Sequence, residues 1–142
     1  MTSSPTIQIA LDCSNPHRQA AFWSATLGYE VDNDPGFIRQ LLDEGTVTED
    51  EVTTFDGELV FATGAAIKDP SDARPRWYFQ KVAEGKVAKN RMHVDVQVGA
   101  ENRAAEEARL VELGATRLYE GQQGPHKWTT MADPEGNEFC LS

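Results

Sequence analysis

The sequence predicts an α+β fold in which one unit, a strand, a helix and three further strands, occurs twice. Three observations carry that expectation. The stretches TIQIALDC at 6–13 and NRMHVDVQV at 90–98 alternate apolar and polar residues, as a strand with one covered face does. Each is followed by a stretch with helical character that stops at a glycine. Finally, ATLGYEV at 25–31 matches VELGATRL at 111–118, each a helix end, a glycine and a strand start. Gln8 lies 20 residues before Gly28 and His93 lies 21 before Gly114, so the strands carrying Gln8 and His93 are equivalent to within one residue.

In the first strand Ile7, Ile9, Leu11 and Cys13 oppose Gln8, Ala10 and Asp12. Asn15 then offers a helix N-cap and Pro16 a first helical residue, and Gly28 ends the helix. Tyr29 to Val31 begins a second strand and DPG turns the chain. The segment 36–54 departs from the pattern: Phe37, Ile38, Leu41 and Leu42 fall at helical spacing and Thr48 to Glu51 fits a capping box, which predicts a helical insertion. ELVFATGA at 58–65 and RWYFQK at 76–81 read as strands around the loop KDPSDARP, and VAEGKVAKN as a solvated connection. In the second half Ala104, Ala105, Ala108 and Val111 form an apolar helical stripe. Thr116 to Tyr119, Lys127 to Ala132 and Glu138 to Leu141 complete the strands, with GQQGPHK as a loop and DPEGN as a tight turn. Module one is expected at 5–82 with the insertion at 36–54, and module two at 90–142, within one domain spanning 1–142.

The formal charge of −10 argues against nucleic acid or an anionic membrane as partner, because both repel an acidic protein at long range. No apolar run approaches a membrane span and MTSSPTIQ lacks a secretory pattern, so a cytoplasmic location is expected. Cys13 and Cys140 lie near opposite ends without a CxxC pattern, which makes reduced thiols the default. No GxGxxG, P-loop, GxSxG or HExxH motif is present.

With FWSATLGYEV, NRMHVDVQV and DPEGNEFCLS in this order, the chain resembles the glyoxalase, bleomycin-resistance and dioxygenase group of the vicinal-oxygen-chelate superfamily, over nearly its whole length except 36–54. The resemblance implies two βαβββ modules whose mixed sheets form a cup. In metal-using members a divalent ion sits there, held by residues of the first and last strands of each module. Residue by residue, those positions fall on Gln8, His93, Gln80 (or, with the alignment shifted by one, Phe79) and Cys140, with Gln8 and His93 as the implied metal ligands. Cys140 stands where the metal-binding enzymes carry Glu. That set contains no carboxylate, and a thiolate favours softer ions such as zinc.

The residues have their own reading beside the resemblance. His93 suits a ligand, a general base or a satisfied polar group. Asp95 and Asp12 share strand faces with His93 and Gln8 and suit acid–base work if burial raises a carboxylate pKa; bonding to backbone donors is the alternative. Trp23, Trp77 and Trp128 offer aromatic walls, with Trp23 expected in the core and Trp128 and His126 placed to close over a ligand. Cys13 is expected to pack. Two functions stay open: a glyoxalase-like lyase, isomerase or dioxygenase acting through a metal near His93, and a metal-free protein that binds a small organic, antibiotic-like molecule without catalysis. Relatives pair their modules within a chain or across a homodimer.

Overall fold

The computed structural model describes residues 4–142; the three residues before them, the start of the segment read for a secretory signal, lie outside the described residues. The chain divides into two compact units, Met1–Ala83 and Glu84–Ser142. Unit 1 runs β1 (Gln8–Cys13), α1 (Pro16–Leu27), β2 (Glu30–Val31), α2 (Pro35–Asp43), β3 (Val52–Phe55), β4 (Glu58–Phe61), β5 (Gly64–Lys68) and β6 (Arg76–Lys81). Unit 2 runs β7 (Asp95–Val96), α3 (Arg103–Leu113), β8 (Thr116–Gln123), β9 (His126–Ala132) and β10 (Glu138–Leu141). The sheet orders are β1-β6-β5-β2 and β7-β10-β9-β8. In both, the first strand lies parallel to the last and the remaining pairs are antiparallel. The repeated βαβββ topology predicted from the sequence is the one observed.

Local chemistry accounts for the helix of unit 1. The Asn15 side chain accepts from the Arg18 N–H at 3.1 Å, Pro16 takes the first turn, and Gly28 closes the helix at φ 70°, a left-handed conformation that favours glycine. The buried face of α1 meets the sheet through aromatic stacking, with the Trp23 and Trp77 ring centroids 4.7 Å apart and Phe22 edge-on to Trp23. Trp77 is therefore core and not a pocket wall. Phe79 and Ile67 complete this layer at 0% exposure. Cys13 packs as expected, 4% exposed.

Several expectations need correction. ELVFATGA is two strands, since β4 pairs with β3 in a separate two-stranded sheet while β5 joins the main one. Within 36–54, α2 and a 3-10 turn at Glu49–Glu51 are helical, but Val52–Phe55 is a strand. The physical reason is a hairpin: VTTF pairs with ELVF around Asp56 (φ 50°) and Gly57 (φ 79°), two consecutive positive-φ residues that match strand twist. The Thr48 side chain caps no backbone N–H; its hydroxyl bonds the Asp50 and Glu51 carboxylates, and only its carbonyl accepts from the Glu51 N–H at 3.0 Å. GQQGPHK is mostly strand, belonging to the β8–β9 hairpin.

The NRMHVDVQV strand shrinks to Asp95–Val96, because β10 offers only a short edge to pair with. Bonds from Cys140 N to Val94 O (3.0 Å) and from Ser142 N to Val96 O (3.0 Å) still hold its alternation. On α3 the expected stripe is wrong: Ala104, Ala105, Ala108 and Val111 are exposed, and Leu110 is the buried residue. Glu107 explains the rotation, since it reaches the Thr129 hydroxyl at 3.1 Å and Arg117 at 2.7 Å, turning a mostly charged face toward the sheet. The unit 2 core is Leu110, Met131, Phe139 and Leu141, each at most 1% exposed.

Candidate functional site

The unpaired face of the unit 2 sheet is built by register. Asp95 lies opposite Cys140, Cys140 opposite Thr130, and Thr130 opposite Tyr119, so these four side chains form one row across β7, β10, β9 and β8. Alternation adds the neighbours two residues away: His93 beside Asp95, Glu138 beside Cys140, and Trp128 and His126 beyond Thr130. Burial of Phe139 and Leu141 in the core leaves Cys140 between them on this outer row. A cleft of about 370 Å³ follows, lined by Lys89 and by the residues of this row.

Three of these residues converge. His93 Nδ1 lies 3.1 Å from Asp95 Oδ1, and the ligating atoms of His93, Asp95 and Cys140 all lie within 4.8 Å of one another. Cys140 Sγ is 3.7 Å from the Thr130 hydroxyl. The His93 and Asp95 side chains are 40% and 57% exposed, so the pair is solvated and reachable from outside. Beside them the His126 and Trp128 rings lie tilted at 5.5 Å. Trp128 packs against Gly121, where a Cβ would fall 2.3 Å from the indole; only a glycine permits that approach.

Glu138, which shares a face with Cys140 at a spacing of two, brings a charge to the site whose role the sequence pattern did not show. Its carboxylate accepts from the Asn90 N–H at 2.9 Å and pairs with Lys86 at 2.9 Å. The backbone bond from Asn90 and the Lys86 ammonium outweigh partial burial and hold it down to about 2. At neutral pH it is an anion that ties the connection leading to His93 onto β10.

The unit 1 candidates are organised differently. Gln8, Asp12 and Gln80 lie on the exposed face of the β1–β6 pair, with Asp12 opposite Gln80 in register. The Gln8 amide oxygen accepts from Arg76 Nη1 at 2.8 Å, and Arg76 Nε pairs with Asp32 at 3.1 Å. The guanidinium takes one of the two lone pairs of the Gln8 oxygen and its charge repels a cation, which disfavours a metal at Gln8 in this arrangement. The eight predicted residues are thus divided: Gln8, Asp12 and Gln80 in unit 1, and His93, Asp95, His126, Trp128 and Cys140 together in unit 2. In unit 2 the donors of His93, Asp95 and Cys140 form a nitrogen, oxygen and sulfur set that fits a zinc-type ion better than the hard-donor metals.

Comparison with known proteins agrees with this architecture. A family model described as "Glyoxalase-like domain" matches residues 8–142. No curated protein sequence matches the chain. Among solved structures, a mutant of the fosfomycin resistance protein FosX from Listeria monocytogenes, complexed with Mn(II) and 1S,2S-dihydroxypropylphosphonic acid, superimposes with a TM-score of 0.65 at 14% identity, covering 99% of this chain and 92% of that one. FosX from Mesorhizobium loti gives 0.63 at 8% identity, covering 99% and 91%. A glyoxalase/bleomycin resistance protein/dioxygenase family enzyme from Burkholderia phytofirmans gives 0.63 at 11% identity, covering 94% of each chain. At these identities the likeness concerns the fold. Among the described residues no helix is long and apolar enough to cross a membrane.

Proposed function

The chain belongs to the glyoxalase-like domain family of the vicinal-oxygen-chelate superfamily, and from that premise we propose that it binds a small, oxygen-bearing organic molecule on the open face of the unit 2 sheet. The observation that carries this reading is the convergence of His93, Asp95 and Cys140 in one cleft beside the His126–Trp128 wall. The aromatic pair supplies apolar contact area, and the polar row and Lys89 orient oxygen atoms. Asp95 accepts the Nδ1 proton of His93, which fixes the tautomer and leaves Nε2 able to take a proton or meet a ligand atom. A proton transfer of the lyase or isomerase kind is the chemistry this pair suits. A zinc-type ion, when held by His93, Asp95 and Cys140, would add Lewis-acid polarisation of a substrate oxygen. Dioxygenase chemistry finds less support, since His93 is the single imidazole of this donor set and the usual iron triad needs two beside its carboxylate.

Non-catalytic binding is the second reading, favoured by the solvent exposure of the His93–Asp95 pair. Zinc titration of metal-stripped protein purified without an affinity tag tests the first. About one ion per chain is expected, with affinity lost in His93→Ala and reduced at least about tenfold in Cys140→Ser. Catechol, an aromatic probe with adjacent oxygens, should quench Trp128 emission in the wild type and less so in His93→Ala. Catechol binding without zinc uptake would leave the binder; absence of both overturns the site.

A further inference from the structure

We propose that residues 34–61 form a hinged lid over one face of the unit 1 sheet and open as one body while that sheet stays folded. The two repeats differ at this junction. In unit 2 the second and third strands of the module, β8 and β9, are joined by two residues alone, Gly124 and Pro125. Between the corresponding strands of unit 1, β2 and β5, the chain inserts α2, the 3-10 turn and the β3–β4 hairpin. The sheet closes without them, because Val31 lies opposite Ile67 and Asp32 N donates to Ala66 O at 2.8 Å. The inserted chain therefore leaves at 32–33 and returns at 62–63, beside its point of departure, so that a few backbone rotations at these two places can swing it as a whole.

The segment is bonded to itself more than to the body of the unit. Its strands β3 and β4 pair with each other in a sheet of their own. Among the described residues its backbone hydrogen bonds stay within 34–61, apart from Ala62 N to Glu51 O at 2.9 Å, which closes it. A lone two-stranded hairpin is marginal in water, so the moorings decide whether this one stays shut. Among the described residues two side-chain hydrogen bonds reach it from outside. His17 Nε2 donates to Phe61 O at 2.7 Å, with its ring 5.5 Å from that of Phe55, and Asn33 Nδ2 donates to Leu59 O at 3.1 Å.

Packing adds little to these moorings. Within 34–61 only Ile38 and Val60 are buried, and Phe37 is 51% exposed. A cavity of about 820 Å³, lined by Phe37, Phe55 and Val60 of the segment and by Gly64, Ala66 and Tyr78 of the sheet, stands where interdigitated side chains would otherwise fix the two together. On its other face the sheet packs Trp77 and Phe79 under α1, through the Trp23–Trp77 contact. Lifting the segment breaks two side-chain bonds and exposes two buried residues while this core is untouched, which is a local opening far easier than unfolding the unit.

Hydrogen–deuterium exchange on the full chain tests this. Amides of α2 and the β3–β4 hairpin should exchange at least about tenfold faster than those of β5 and β6. His17→Ala and Asn33→Ala remove moorings on different elements, yet each should speed the amides of α2 and the hairpin together, by about fivefold to twentyfold, and leave β5, β6 and unit 2 unchanged. A thiol reporter reads access to the covered face. With Cys13→Ala and Cys140→Ser as background, Ala66→Cys, at a position 4% exposed, should react slowly with a maleimide and faster by a similar factor once His17→Ala is added. A single exchange rate for the segment and β5–β6, acceleration confined to amides beside the substituted residue, acceleration spread over both units, or Ala66→Cys labelling unmoved by His17→Ala would each overturn the proposal.

Discussion

Replacing Glu138 with Gln isolates one charge whose worth follows from its surroundings. The amide keeps an oxygen for the Asn90 N–H but removes the anion that Lys86 and that N–H stabilise. The carboxylate is depressed from 4.5 to about 2 on folding. A group depressed in this direction stabilises the folded state above its unfolded pKa, and the contribution is lost as pH falls through the folded value. The full shift would correspond to about 3 kcal/mol at neutral pH. With 17% of the side chain still in water, screening reduces this to about 1–2 kcal/mol. Urea unfolding of wild type and Glu138→Gln, run in parallel near pH 7, 4.5 and 3, reads the difference directly. The gap should be widest near neutrality, begin to close below about pH 4.5 and be nearly gone toward pH 2. A gap independent of pH, or none at pH 7, would refute the assignment of Glu138 as the anchor.

Gly121→Ala should destabilise by about 1–3 kcal/mol, because its Cβ would lie 2.3 Å from the Trp128 indole and the ring must move; a shift in tryptophan emission together with the lowered urea midpoint checks it. Phe79→Ala removes a ring with 0% exposure and should cost about 3–5 kcal/mol, measured the same way. In Gln8→Ala zinc affinity should change less than about twofold, since Arg76 holds that amide oxygen; a tenfold loss in the same titration would restore Gln8 as a ligand.

Reading the fold from the chain worked where one local signal and one tertiary demand coincide. Asn15, Pro16 and Gly28 punctuate α1 by backbone geometry alone, and Ile9, Leu11 and Cys13 alternate because only one face of β1 is covered. It failed on α3 because alanines pack on either side of a helix at little cost, so the ion pairs and hydroxyl contacts of Glu107 decided the rotation. The β3–β4 hairpin was hidden because VTTF follows a strong helical stretch, and its partner ELVF reads as part of a longer strand. In the site, His93 with Asp95 was legible, since a spacing of two on a strand brings side chains together. Glu138 was visible on the same face as Cys140, but its fixed charge depends on Asn90 and Lys86, which lie 48 and 52 residues away in the chain.

Sequence alone determined the duplicated βαβββ order and the alternation that sorts each strand into a packed and an open side, because both follow from periods of two to four residues set by backbone geometry. Tertiary structure alone decided that Arg76 takes the Gln8 oxygen and that Cys140 joins His93 and Asp95. Those outcomes depend on strand register and on contacts between residues far apart in the chain, which no local period encodes.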